Sequence, residues 1–153
     1  MTQVFSKDAE PTNVEQIDIL SNVDPKKSVS IITGFVAMTY TESIMSDTVK
    51  VGVSFIDSGN SIDDKSVTEG LPLVGQEQVK LKFTDNNENT LDLVLYVNKI
   101  TPNLDRTQEG MMTLDLVSKE FLMNEKKRVN QRFDGKVSDH IKKLMTDQNY
   151  LGT

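Results

Sequence analysis

The chain has 153 residues, 37% of them hydrophobic and 26% charged, and a net charge of −6. A domain of that length buries a real core without a covalent staple. Cysteine is absent, which excludes disulfides and thiolate-held metals and suits a reducing cytoplasm. Met1–Leu20 is polar and acidic, unlike a leader peptide, and the longest apolar-leaning run, Ile31–Met38, is far shorter than the ~20 residues of a membrane helix.

Charge is divided along the chain. Residues 1–125 hold 20 Asp/Glu against 10 Lys/Arg, a net of −10, whereas residues 126–153 hold 3 Asp against 7 Lys/Arg, a net of +4. The switch at Glu125–Lys126 reads as an organisational boundary. An acidic body repels phosphate, so stable nucleic-acid binding by the first 125 residues is not expected.

In chain order, residues 1–27 read as an N-terminal arm, with Ile17 and Ile19 able to form one short strand. From Ser28 a β-branched run carries Val29, Ile31, Ile32, Val36, Met38 and Tyr40, broken at Gly34, where a bulge or sharp coil is expected. After the turn-like Met45-Ser46-Asp47, the alternation of Val49, Val51, Val53 and Phe55 with Lys50, Gly52 and Ser54 predicts a second strand and hence a hairpin. Residues 57–70 read as a polar loop. Val79, Leu81 and Phe83, then Leu91, Leu93, Leu95 and Val97, predict a second hairpin with a polar tip over 84–90. Met112, Leu114 and Leu116 predict a last strand over 110–118.

Five or six strands with polar turns predict a mainly β fold, an antiparallel barrel or sandwich, over residues 28–125. In the tail, Val137, Ile141 and Leu144 share one helical face, with Ser138 as the expected N-cap and the helix running to Gly152. Residues 126–153 therefore read as a linker and the start of a second, truncated domain.

The residues that carry chemistry are few. Gly70-Leu71-Pro72-Leu73-Val74-Gly75 has the glycine spacing of a phosphate loop, but Gln76 and Glu77 stand where Lys and Ser/Thr are needed. Asp57, Asn60, Asp63 and Asp64 do not match a calcium loop, and Asp85, Asn86, Asn87 and Glu88 read as a solvated hairpin tip. His140 is the only histidine, so one chain cannot build a multi-histidine metal site. No catalytic residue, cofactor or metal is expected. The basic cluster Lys126, Lys127, Arg128, Arg132 and Lys136 reads first as a solvated linker, with docking on an acidic neighbouring subunit as the alternative.

Two ordered sets of phrases point further. Ile32-Thr33-Gly34-Phe35-Val36 followed by Leu71-Pro72-Leu73-Val74-Gly75-Gln76-Glu77 and the strand to Phe83 resembles the first tube-type barrel of baseplate hub proteins from contractile-tailed bacteriophages. Leu114-Asp115-Leu116-Val117-Ser118 leading into Arg128-Val129 and then Phe133-Asp134-Gly135-Lys136-Val137-Ser138-Asp139 resembles that family's exit from the barrel. Residues 28–151 are spanned; the second tube-like barrel of family hubs has no counterpart. The resemblance implies a non-enzymatic homotrimer in the virion's tail baseplate, assembled in the host cytoplasm. It would join the tail tube protein to the central spike protein, with baseplate wedge components as further neighbours and the DNA passing through unbound. The alternatives are a tube initiator, a distal tail adaptor, or a receptor- or carbohydrate-binding β-sandwich, the last disfavoured by the absence of Trp.

Overall fold

The computed structural model of the chain describes residues 12–24, 26–57, 59, 62, 64–102 and 110–152. Among these residues seven strands form one antiparallel sheet in the order β2-β1-β5-β6-β7-β4-β3. They are β1 (Asn13–Leu20), β2 (Ser28–Ser30), β3 (Phe35–Thr41), β4 (Lys50–Ile56), β5 (Gln78–Thr84), β6 (Thr90–Pro102) and β7 (Met111–Val117). Among the described residues three α-helices accompany them: α1 (Val67–Gly70), α2 (Lys119–Lys126) and α3 (Val137–Thr146).

The long strand β6 organises the sheet. Its first half pairs with β5, from Thr90 opposite Thr84 to Tyr96 opposite Gln78. Its second half pairs with β7, from Tyr96 opposite Val117 to Pro102 opposite Met112. A register shift between Val97 and Lys99 marks the handover, where a bulge adds bend and twist. The sheet is thus two four-stranded halves sharing one strand, and it curls so that its apolar face meets itself. The Tyr40 and Phe83 rings, on β3 and β5, lie 5.6 Å apart across the interior.

Each strand contributes its alternate apolar residues to this interior, because successive side chains in a strand point to opposite faces. Ile17, Ile19, Val51, Val53, Phe55, Val79, Leu81, Phe83, Leu95, Val97, Leu114 and Leu116 are all buried, while Val49, Leu91 and Leu93 are half-buried against them. Fully burying each aliphatic or aromatic side chain stabilises by about 1.5–3 kcal/mol. The phases expected for β4, β5, β6 and β7 match this burial.

Several expectations need correction. Asn13–Leu20, assigned to an arm, is an inner strand paired with both β2 and β5, and Ile17 and Ile19 are fully buried. Residues 1–11 of that arm lie outside the described residues. The run broken at Gly34 is not one bulged strand. Ser28–Ser30 and Phe35–Thr41 are the two opposite edges of the sheet, joined by a 3-10 turn over Ile32–Gly34. A Cβ on Gly34 would lie 2.3 Å from the Ile56 carbonyl oxygen, so close backbone approach requires glycine there. The sheet remains open: β2 and β3 are its edges, and no ladder joins them among the described residues. Helix α2, with Leu122 buried, was not expected within residues 28–125. Its first turn meets the sheet through the Ser118 N–H, which donates to the Thr48 hydroxyl at 3.0 Å. Helix α3 begins one residue after Lys136, which occupies the N-cap without a side-chain hydrogen bond, and it ends at Thr146 rather than Gly152. Ser138 therefore lies inside the helix.

Candidate functional site

The sequence loop with phosphate-loop spacing is occupied by the chain's own anion. Glu77 is fully buried, and its carboxylate accepts the Val74 N–H at 2.8 Å and the Gly75 N–H at 2.9 and 3.1 Å. Gly75 sits at φ 108° and Gln76 at φ 67°, a left-handed pair that turns successive N–H groups inward as an anion-holding nest. The Gln76 N–H donates to the Val97 carbonyl at 2.6 Å, and the Val97 N–H to the Glu77 carbonyl at 2.9 Å. The loop is thus a strut that extends the β5–β6 ladder.

The acidic turns are likewise internally employed. Asp57 accepts the Val67 N–H at 2.8 Å and the Gly59 N–H at 3.3 Å, tying the end of β4 to the start of α1. Asn60 and Asp63 lie outside the described residues. Asp85 accepts the N–H groups of Asn87 and Asn89, each at 2.8 Å, closing the β5–β6 hairpin. These bonds, the Asn89 N–H foremost, hold its carboxyl below the ordinary value. Among the described residues no three His, Asp or Glu side chains converge as a metal site would need.

The five basic residues singled out in the sequence do not form one patch. Lys126, the last residue of α2, donates to the Gln76 side chain at 2.6 Å, and Lys127 donates to the Gln148 carbonyl at 2.7 Å. These two clamp the sheet's loop on one side and the chain end on the other. Arg132 pairs with Asp134 at 2.8 Å, both side chains largely exposed, an interaction of little energetic weight. Arg128 is exposed in the extended segment, and Lys136 is exposed at the start of α3. His140 packs against Phe133 with ring centroids 5.0 Å apart and the rings tilted by 49°.

Two surfaces that sequence reasoning missed are better formed than that cluster. The first is the outer edge of β3, Phe-Val-Ala-Met-Thr-Tyr-Thr, seven residues without a charge or proline. Isolated edges are usually guarded by Lys, Pro or short length; the other edge, β2, has only three residues. The second is the solvent face of the β6-β7-β4-β3 half. Thr101, Thr113, Ser54 and Ala37 align in one row, and Lys99, Asp115, Gly52 and Thr39 in the next. The Ser54 and Thr113 hydroxyls bond across strands at 2.9 Å. Beside the single Lys99–Asp115 pair of that face, the solvent face of the other half carries more such pairs. There Asp18 opposes Lys80, and Lys82 stands between Gln16 and Asp92, a face laced by opposite charges. The signal for the unguarded edge was present in the sequence as a charge-free run, but which strand is an edge depends on pairing.

Comparison with protein-family models and with curated protein sequences returns no match for the chain.

Proposed function

We propose that the chain is a structural, non-enzymatic subunit of a bacteriophage tail baseplate. In this reading it is a trimeric hub ring between the tail tube and the central spike, with its wall forming part of the DNA channel. The observation that carries the assembly half of this reading is the β3 edge. An uncharged seven-residue edge strand exposes a row of hydrogen-bonding groups that invites pairing with another chain, and a closed ring satisfies every such edge without leaving one to aggregate. The phage identity rests on the ordered phrases from Ile32 to Asp139.

The channel half draws on the rows of Thr, Ser, Gly and Ala on the solvent face of the β6-β7-β4-β3 half. Most of these side chains are short, and the Lys99 ammonium stands opposite the Asp115 carboxylate, so the wall offers a polyanion few unpaired cations to hold it. A tube initiator or distal tail adaptor would share the same edge and face; the helices after Val117 favour the hub over a plain tube subunit.

The test is the assembly state of the purified chain. Sedimentation with mass measurement should give a closed trimer, and Met38→Pro within the edge should weaken it, since proline removes a ladder donor. A strictly monomeric chain at all concentrations overturns the reading. Labelling of intact virions with an antibody to the chain should decorate the baseplate end of the tail.

A further inference from the structure

Two apolar surfaces of the chain are left open to solvent, and their surrounding charges are opposite. At the β3–β4 hairpin tip, Ile44 and Met45 are 101% and 91% exposed. This tip is held in shape: the Met45 N–H bonds the Ser43 hydroxyl at 3.2 Å, and the Ser46 N–H bonds the Ser43 carbonyl at 3.0 Å. The Ser46 hydroxyl in turn bonds the Thr48 carbonyl at 2.9 Å. A preorganised turn that displays two large apolar side chains loses little entropy on docking. Its flanking charges are Glu42 and Asp47, with no cation from Thr41 to Val49.

The complementary surface is α3. Val137 and Ile141, one helical turn apart, are 71% and 56% exposed, and no residue of this helix is buried. Leu144, next on the same face, is half-buried, and its carbonyl accepts the Leu151 N–H at 3.1 Å. The open stripe is therefore the first turn and a half of the helix. From Lys126 to Thr146 the chain carries seven Lys/Arg and two Asp. The turn after the helix is tied to α2 by two exposed hydrogen bonds, with Lys119 donating to the Gly152 carbonyl at 2.6 Å and Lys127 to the Gln148 carbonyl at 2.7 Å.

We infer that the acidic, apolar hairpin tip of one copy docks on the apolar stripe of α3 in a second copy. There Lys136 at the N-cap and Lys142 and Lys143 in the later turns outnumber Asp139 of the first turn, and the Lys143 ammonium lies 5.9 Å from the Tyr150 ring centroid. Ile44 and Met45 cover Val137 and Ile141, while Glu42 and Asp47 meet Lys136, Lys142 and Lys143. The inference deepens the assembly reading above and rests on it. Charge complementarity chooses the occupant: an acidic tip is repelled by the acidic body of a neighbour, and the basic tail is the one oppositely charged segment of the chain. Within one copy, these apolar residues stay exposed. The patch is small, so a single contact is weak and gains strength from ring closure, where several form together.

The absence of cysteine makes the test clean. Full-length chains carrying Ile44→Cys and Ile141→Cys are mixed and treated with a short bismaleimide. A covalent dimer is expected in the mixture beyond that of either chain alone, and it should fade at 1 M salt, where the Debye length falls to ~3 Å. Reversal of Glu42 and Asp47 to Lys should weaken association about tenfold, the scale of close interfacial charge pairs. Adding Lys142→Glu and Lys143→Glu in the same chain should restore it. Oligomers by sedimentation without the mixed cross-link overturn this contact and leave the assembly reading standing. A doubly substituted chain that cross-links only within itself also overturns the contact. Monomers at every concentration overturn both.

Discussion

The curled sheet and the segment after α2 obey different physics within one chain. The sheet buries apolar residues from all of β1, β2, β4, β5, β6 and β7, so its stability is a property of packing. The segment from Arg128 to Gly152 contains no buried residue, and it is held by polar ties such as Lys127 to Gln148 and Lys119 to Gly152. The contrast teaches that the tail's shape is cheap to alter without unfolding the body, which suits the contact role proposed for it.

Substitutions sharpen this contrast, and the largest effects belong to the sheet. Phe55→Ala, at a side chain 1% exposed, should cost about 3–5 kcal/mol in chemical denaturation. Ile141→Ala on α3 should leave the denaturation midpoint unchanged while weakening self-association. If both substitutions lower the midpoint alike, the tail is part of the cooperative core and the contrast fails.

A smaller loss is expected at Glu77. Replacing it with Leu leaves the Val74 and Gly75 N–H groups, which are part-buried, without their acceptor, a cost of about 1 kcal/mol. Hydrogen exchange would show the damage confined to the 71–77 loop and the adjacent β6 amide of Val97. Of similar size, Gly34→Ala should cost about 1–3 kcal/mol, because a backbone carbonyl stands where the Cβ must go. Loss of the β3–β4 end pair Phe35–Phe55 without loss of β5–β6 would be its signature.

The smallest effects are pH-dependent and lie at the strand ends. Asp85 is held below its usual value of 3.8 by the Asn89 and Asn87 bonds, and Glu15 below 4.5 by Lys82 and Thr84. A depressed carboxyl contributes stability that is fully present above its unfolded value and lost as pH falls through the folded one. The window is therefore the acid side, below about pH 4. Asp85→Asn should lower stability slightly at neutral pH, where the carboxylate's contribution is present, and flatten the dependence of stability on pH on the acid side. Acid titration followed by circular dichroism checks this, and an unchanged slope would detach the hairpin tip from the acid response.

Much of the sheet was legible in the sequence because period-2 alternation is strong wherever one face is buried. Val49 to Phe55, Val79 to Phe83, Leu91 to Val97 and Met112 to Leu116 declare both strand and inward face. Helix α3 was legible from Val137, Ile141 and Leu144, although its ends were not, since polar residues at helix termini satisfy several boundaries equally well. Helix α2 was hidden because Lys119–Lys126 carries a weak apolar stripe, with Leu122 its one buried residue.

Pairing, by contrast, was decided only by tertiary structure. The alternation of Ile17 and Ile19 says strand, but nothing local says that the strand lies between β2 and β5. Gly34 reads as a break; only the approach of Ile56 shows why glycine is required and that the break separates the two sheet edges. The charge-free run of β3 becomes meaningful once it is known to be an edge. Charge blocks are visible in one dimension, yet three of the five cations in the basic cluster, Lys126, Lys127 and Arg132, go to three separate partners, because a side chain's neighbours are set by the fold. Composition and periodicity determined the acidic, mainly β body and its basic helical tail. Long-range backbone pairing, which no local signal encodes, decided which surfaces remain open to another molecule.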